Sequence, residues 1–340
     1  VEGQADSTEY QADQTATVVR FLATLLDARG DELSREDRDR IQRTVADGAR
    51  ALDDDLGADG LPVACQNIWE DAAGQFTHTA ATFLEAFAAA ADAPVDEVTA
   101  GIARDGAELV AGSLHKLWVP EQCAYAVRRT DDGLDDRLDG ATLALADALV
   151  VADGVAEISL PDRLLPRVVA HTETTLSGLY RDPDDDPVAG LIRYEGDRWR
   201  TGGQHAEKVW SLTTAMGAVA AAKLATLLEE TADGSVAFDD HLEAAAAADG
   251  GRTEAAPDSA DGASETGEAG ETGETDETGE TDETGETDET GETAAEGTSD
   301  TATPPNRDRG PHERASADAA TLFEWASELY ESIEDDGPLP

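Results

Sequence analysis

The sequence predicts an all-α chain, and three observations carry this prediction. Apolar residues recur at helical spacings in segment after segment, and the period-two alternation of half-buried strands is nearly absent. The helical segments also come in pairs, which are joined alternately by short connections and by long ones at about 57–75, 115–136 and 178–206. This rhythm is typical of a ring of helical hairpins whose long loops lie at one end and form a cleft.

The first half of the chain contains four predicted helices, at about 11–28, 34–56, 76–91 and 94–114. In the first helix the predicted buried stripe consists of Val18, Phe21, Leu22, Leu25 and Leu26. The second helix opens on Ser34-Arg35-Glu36-Asp37, which has the pattern of an N-terminal cap. The fourth is predicted to begin with Pro94 as its first helical residue.

The second half of the chain continues the pattern. Helices are predicted at about 138–152, 161–177, 207–230 and 316–334, with a further one at 237–248.

Residues 250–307 interrupt this pattern, and within them the unit Glu-Thr-Gly-Glu-Thr-Asp recurs with period six from about Glu271 to Glu292. A calcium-binding β-helix also has short repeats, but it needs an apolar residue in each turn, and these units contain none. A segment without large apolar residues cannot bury a core, so we predict a disordered acidic insertion. The predicted domain organisation is therefore 1–249 and 308–340 as one domain, with 250–307 inserted in a surface loop.

The chain is extremely acidic, with 24 Lys and Arg against 75 Asp and Glu and a net charge of −51. Such a surface is typical of proteins from extreme halophiles, where molar salt shortens the Debye length to about 3 Å. Nucleic acids and anionic membranes would be repelled, so we expect neither as a partner. No apolar run approaches the roughly 20 residues of a membrane span.

Composition and motifs indicate no cofactor and no metal site. Two cysteines, Cys65 and Cys123, make no disulfide framework, and the six histidines lack zinc spacing. Cys65 has no activating base beside it in sequence and is expected to be a buried thiol. Because the chain begins at Val1 and has no signal peptide, we expect a processed protein or a fragment with a cytoplasmic location.

The predicted candidate site centres on Trp69, Glu70 and Asp71, which lie in the first long loop. An indole beside a carboxyl group would desolvate it and favour its protonated form, which suits a proton donor. The alternative is that Trp69 belongs to the core and the two carboxylates are solvated loop charges.

The tryptophans also point to the long loops. Trp69, Trp118, Trp199 and Trp210 lie in or beside them, whereas Trp325 lies on a helix. Aromatic, arginine and carboxylate side chains on a concave surface suit a sugar, because rings pack on its C–H faces and charged groups bond its hydroxyls.

Four segments resemble glycoside hydrolase family 15, the glucoamylases and their relatives, in order and spacing. They are Glu9-Tyr10-Gln11-Ala12-Asp13, Ile68-Trp69-Glu70-Asp71 with Phe76-Thr77-His78-Thr79, Gly178-Leu179-Tyr180-Arg181, and Leu191 to Asp197 with Trp210-Ser211-Leu212-Thr213-Thr214. The resemblance implies an (α/α)6 toroid, incomplete at both ends in this chain. It also implies exo-acting, inverting hydrolysis of α-glucosidic bonds in starch or malto-oligosaccharides.

The resemblance further implies that Glu70 is the general acid. It implies substrate contacts by Trp69, Asp71, Arg193, Tyr194 and Trp210. Inversion needs a second carboxylate about 6.5–9.5 Å from the acid. In the family this base follows the helix that matches 316–334, so we expect the chain as given to lack it and to be inactive. Two alternatives stay open: a non-catalytic α-glucan-binding or scaffold protein, and a family relative that acts on trehalose or on α-1,6-glucans.

Overall fold

The computed structural model describes residues 10–66, 68–70, 72–181, 189–197, 207–234 and 319–330, and this part of the chain is mostly helical. The helices are α1 (Ala12–Arg29), α2 (Arg35–Asp54), α3 (Thr77–Asp92), α4 (Glu97–Ser113), α5 (Ala144–Asp153), α6 (Leu164–Leu179), α7 (Ser211–Gly234) and α8 (319–330). The predicted helical class is confirmed. The helix predicted at 237–248 and the insertion 250–307 lie outside the described residues.

Side-chain caps determine where two of these helices begin. The Ser34 hydroxyl accepts a hydrogen bond from the Asp37 backbone N–H at 3.1 Å, as its sequence pattern predicts. At α4 the Asp96 carboxylate accepts from the backbone N–H groups of Val98 and Thr99, both at 3.1 Å. The prediction that α4 begins with Pro94 is wrong, because Asp96 satisfies the free N–H groups of the first turn and places the start at Glu97.

The helices pack in an alternating order. The odd-numbered helices α1, α3, α5 and α7 pack side by side in that sequence, and α2, α4 and α6 each pack on the odd-numbered helix before them. Helix α8 approaches α7 closely, since a Cβ built on Gly217 would lie 3.0 Å from Leu329 Cδ1. Helices α1 to α6 therefore form three successive pairs with one packing scheme, and α7 continues the row of odd-numbered helices.

One charged side chain from each odd-numbered helix enters a common cluster. Arg20 Nε lies 3.0 Å from Glu85 Oε1, and Lys223 Nζ lies 2.9 Å from Asp147 Oδ1. Glu85 also interacts electrostatically with Asp147 and Lys223. Burial, together with the neighbouring Asp147 carboxylate, raises the pKa of Glu85 to about 7, although Arg20 and Lys223 act in the opposite direction. The cluster ties α1, α3, α5 and α7 together.

The buried face of α1 differs from the prediction. Of the predicted stripe, Leu26 is buried and Leu22 packs partly buried against the core, but Val18 and Phe21 are exposed, by 52% and 64%. The rest of the core face is formed by Ala12, Ala16, Val19 and Ala23. Alanines allow α1 to lie close to α3, so the face with the smaller side chains is the one that is buried.

Short strands occur within the long connections, which the prediction of an all-α chain omitted. An antiparallel sheet of order β1-β2-β5-β6 joins the first two long connections, and β3–β4 and β7–β8 form two-stranded pairs. The strands are β1 (Cys65–Gln66), β2 (Ala73–Phe76), β3 (Trp118–Val119), β4 (Ala124–Tyr125), β5 (Arg128–Thr130), β6 (Gly133–Asp135), β7 (Tyr180–Arg181) and β8 (Gly190–Leu191). Strands of two to four residues are too short to show alternation in the sequence.

The expectation that no apolar run approaches the length of a membrane span is wrong for α7, which over 211–231 is long and apolar enough to cross a membrane by length and composition alone. Half of this window is buried inside the protein, where Leu224 and Leu228 belong to the core. A core helix passes the same test, and α7 packs on α5 as such a helix does.

Candidate functional site

A cleft of about 240 Å³ lies where the three long connections meet. It is lined by Trp69, Ala72, Phe76, Val127, Arg128, Arg137, Asp139 and Tyr194. The first connection contributes Trp69, the second contributes Arg137, and the third contributes Tyr194. Two of the six residues predicted for the site, Trp69 and Tyr194, therefore line one cleft.

Trp69 is held in the cleft by Asp139. The indole N–H of Trp69 donates to both carboxylate oxygens of Asp139, at 2.9 and 3.1 Å. Asp139 is 2% exposed and also accepts from the backbone N–H of Ala141 at 2.8 Å. Hydrogen bonds to a buried carboxylate are stronger than neutral ones, so this contact fixes the plane of the indole.

Arg193 lies among three aromatic rings. Its guanidinium carbon is 5.3 Å from the ring centre of Trp69, 5.0 Å from that of Tyr194 and 4.8 Å from that of Trp210. The guanidinium also donates to the two carboxylate oxygens of Asp197, at 2.8 and 2.7 Å. Both partners are almost fully buried. A paired guanidinium facing aromatic rings makes a rigid wall behind the cleft.

Backbone contacts position Tyr194 beside Asp139. The two residues form an isolated antiparallel bridge, and the Gly140 N–H donates to the Arg193 carbonyl at 2.7 Å. A Cβ at Gly140 would lie 2.1 Å from Thr213 Cγ2, so only glycine allows this approach of the chains. These contacts join the predicted sugar-binding loop to the segment before α5.

Arg137 and Asp139 belong to the site although the sequence analysis did not select them. The Arg137 guanidinium lies 5.4 Å from the Tyr194 ring centre and is held by Asp135 at 2.8 and 2.7 Å. Hydrogen bonding to the Asp135 carboxylate raises the pKa of Arg137 further above its ordinary value. No spacing connects Arg137 or Asp139 to Trp69 in the sequence. The position of Asp139 directly before Gly140, at the start of a helical turn, is the one available signal.

Glu70 does not have the enclosed environment that its sequence neighbours suggest. Its side chain is exposed, it is not among the residues that line the cleft, and its carboxylate accepts from Gln11 Nε2 at 3.0 Å. The expected shielding by Trp69 is wrong because that indole is oriented towards Asp139. Glu70 also has a positive φ of 56°, so the chain turns sharply between Trp69 and the next strand. Asp71 lies outside the described residues.

A second group of polar side chains is buried behind this loop. Cys65 is 1% exposed and burial raises its pKa, which confirms the expected buried thiol. His78 Nδ1 lies 3.6 Å from Asp13 Oδ2, and burial lowers the pKa of His78 to about 4, so the imidazole is neutral at pH 7. Within the described ranges, no group of three or more His, Cys, Asp and Glu side chains could hold a metal ion.

Comparison with known proteins adds no family assignment: no protein-family model matches this chain, and no curated protein matches it.

Proposed function

We propose that this helical domain binds α-glucans in the cleft beside Trp69 and contributes the general acid of an inverting glycoside hydrolase of the glucoamylase type. The observation that carries the proposal is the packing of Arg193 among Trp69, Tyr194 and Trp210. Four of the residues selected by the resemblance thus come together from three segments of the chain, with Arg193 in contact with each of the other three.

The lining of the cleft suits a pyranose ring. Trp69 and Tyr194 supply aromatic surfaces for the apolar C–H faces of the sugar. Arg128 and Arg137 line the same cleft and supply donors for its hydroxyl oxygens. Mixed apolar and polar linings of this kind orient a neutral polyhydroxylated ligand without requiring a charged one.

The proposal includes an (α/α)6 toroid. Two observations support it: the alternating packing of α1 to α7, and the cluster that draws Arg20, Glu85, Asp147 and Lys223 from the four odd-numbered helices. In a toroid of this kind, successive inner helices alternate with outer ones and the loops at one end shape the substrate cleft.

In the proposed reaction Glu70 donates its proton to the glycosidic oxygen while the bond from that oxygen to the anomeric carbon breaks. Water attacks the anomeric carbon from the opposite face, and a second carboxylate takes the proton of that water. Gln11 Nε2 donates to one oxygen of this carboxyl group at 3.0 Å. We assign the base to no described residue.

The exposure of Glu70 favours a second candidate, a non-catalytic α-glucan-binding protein. Such a protein needs the aromatic and arginine wall but not a shielded acid. The variant Glu70→Gln distinguishes the two candidates, because it removes the proton donor and keeps the shape of the side chain. It should affect a hydrolase but not a protein that only binds the glucan.

The binding test is a calorimetric titration of the protein with maltoheptaose in 1 M KCl. We expect saturable binding that Tyr194→Ala weakens at least about tenfold, because a ring stacked on a sugar is lost. Trp325→Phe is the matched aromatic control, since its ring contacts Tyr180 and lies outside the cleft lining. Absence of saturable binding, or equal loss in the control, would contradict the proposal.

The catalytic test uses azide as an external nucleophile, because azide attack on the anomeric carbon needs no base. With a poor leaving group, formation of β-glucosyl azide requires the Glu70 proton, and Glu70→Gln should abolish it while maltoheptaose binding persists. Maltose, trehalose and isomaltose serve as parallel substrates that separate the glucoamylase assignment from the relatives acting on trehalose or α-1,6 bonds. Binding without any azide product would favour the non-catalytic candidate.

A further inference from the structure

A second cavity, of about 380 Å³, lies between the end of α4 and the start of α6. Its lining residues are Ala111, Gly112, Leu114, His115, Tyr125, Pro161, Asp162, Arg163, Leu164 and Arg167. None of these residues lines the cleft beside Trp69. The volume falls within the range of small-molecule sites, which is about 300–1,000 Å³.

Two arginines of this cavity lack the carboxylate partners that most others have. Arg163 and Arg167 form no ion pair with any described residue, although the chain carries 75 acidic residues. They lie four residues apart, so they share one face of α6, where like charges repel. They also occupy the cap and first turn of this 16-residue helix, the end at which the dipole favours anions. A bound anion would relieve both unfavourable contacts.

The Tyr125 hydroxyl provides independent evidence for a ligand. Tyr125 is 2% exposed, and its hydroxyl makes no hydrogen bond with any residue in the described part of the chain. The ring is held edge-on by Trp118 at 5.1 Å and His171 at 5.4 Å, so its position is fixed. Burial raises the pKa of Tyr125, and the hydroxyl is therefore a donor at neutral pH. Tyr125 lines the cavity, so its hydroxyl can donate to a ligand oxygen there.

The remaining walls limit the kind of anion. His115 adds a ring whose Nδ1 lies 2.7 Å from the Gly112 carbonyl oxygen, and Leu114 and Leu164 add an apolar surface. Asp162 also lines the cavity, and its carboxylate repels anions that are attracted only by net charge. A ligand held by several directed hydrogen bonds can still bind. Two guanidinium forks and a phenol match the several oxygens of a tetrahedral anion better than the two of a carboxylate.

We propose that this cavity binds a phosphate group, either free or as the monoester of a small organic molecule. Arg163, Arg167 and the Tyr125 hydroxyl hold the phosphate oxygens, and the apolar wall accommodates an organic substituent. This site is independent of the proposed glucan cleft and needs no hydrolytic activity.

The test is calorimetric titration of the whole chain with inorganic phosphate and, separately, with glycerol 3-phosphate, at constant ionic strength in 1 M KCl. We expect saturable binding of one equivalent, weakened at least about tenfold by Arg163→Gln and by Arg167→Gln, because each loses charge-assisted hydrogen bonds. Tyr125→Phe should weaken binding with the circular dichroism spectrum unchanged. Equal affinity for the two probes assigns the cavity to free phosphate, and tighter binding of glycerol 3-phosphate assigns it to monoesters.

Arg43→Gln is the matched control, since Arg43 also forms no ion pair with a described residue but lies on α2, beside a different groove. It should leave the affinity unchanged. The proposal is overturned if the unaltered chain shows no saturable binding, if Arg43→Gln weakens binding as much as the cavity variants do, or if both cavity arginine variants bind with unchanged affinity.

Discussion

The contact between Trp69 and Asp139 offers a quantitative test of the site. Trp69→Phe removes the N–H that the Asp139 carboxylate accepts at 2.9 and 3.1 Å while keeping an aromatic ring in place. Because Asp139 is 2% exposed, water cannot readily replace the lost donor. A hydrogen bond to a charged group contributes about 1.5–3 kcal/mol, so we expect Trp69→Phe to lower the free energy of unfolding by about 2 kcal/mol.

A double-mutant cycle with Asp139→Ala isolates this contact. Asp139→Ala also removes the acceptor of the Ala141 N–H, but that loss is the same with Trp69 or Phe at position 69 and cancels in the cycle. The measurement is urea unfolding in 1 M KCl, followed by circular dichroism, and the expected coupling energy is at least about 1 kcal/mol. Trp325→Phe with Asp139→Ala is the control and should show no coupling. A coupling energy within about 0.3 kcal/mol of zero for Trp69 and Asp139 would refute the geometry of the site.

Three further predictions concern the helical core. The pKa of Glu85 is raised from 4.5 to about 7, so the folded state holds this proton more tightly than the unfolded state. The free energy of unfolding should therefore fall by about 3 kcal/mol as pH rises from 4.5 to about 7, and urea unfolding of Glu85→Gln should lack this pH dependence. His171, whose pKa burial lowers from 6.5 to about 4, should show no imidazole titration by NMR between pH 8 and 5.5, because its Nδ1 accepts from the Tyr125 N–H. Gly106→Ala should lower the free energy of unfolding by about 1–3 kcal/mol, since its Cβ would lie 2.8 Å from the Phe87 ring, whereas Gly112→Ala on the same helix meets nothing within 4 Å and should be neutral or stabilising.

The sequence predicts the order of the helices well because each has enough apolar residues at helical spacing. It predicts which face is buried less well. In α1 the stripe through Val18 and Phe21 has the larger side chains, yet the face through Ala16 and Ala23 packs on the core. Alanine contributes little to a hydrophobic pattern, but it permits the close approach of two helices, which is a property of the pair and not of one segment.

In the candidate site, too, the sequence predicts some of the residues and not others. Its aromatic residues are visible as tryptophans and tyrosines in loops, and three of them contact Arg193. The role of Asp139 depends on a hydrogen bond to a residue 70 positions earlier, which no local pattern encodes. Glu70 shows the opposite error, since sequence neighbours suggested an enclosed carboxyl and a turn with positive φ leaves it exposed.

The central claim is that the cleft beside Trp69 holds a glucose unit. The most direct measurement is a crystal structure of the protein soaked with maltose in molar salt. We predict a glucose ring packed against Trp69 and Tyr194, with a hydroxyl within hydrogen-bonding distance of Arg128 or Arg137. Maltose bound only elsewhere, or a cleft that stays free of sugar at saturating maltose, would contradict the account.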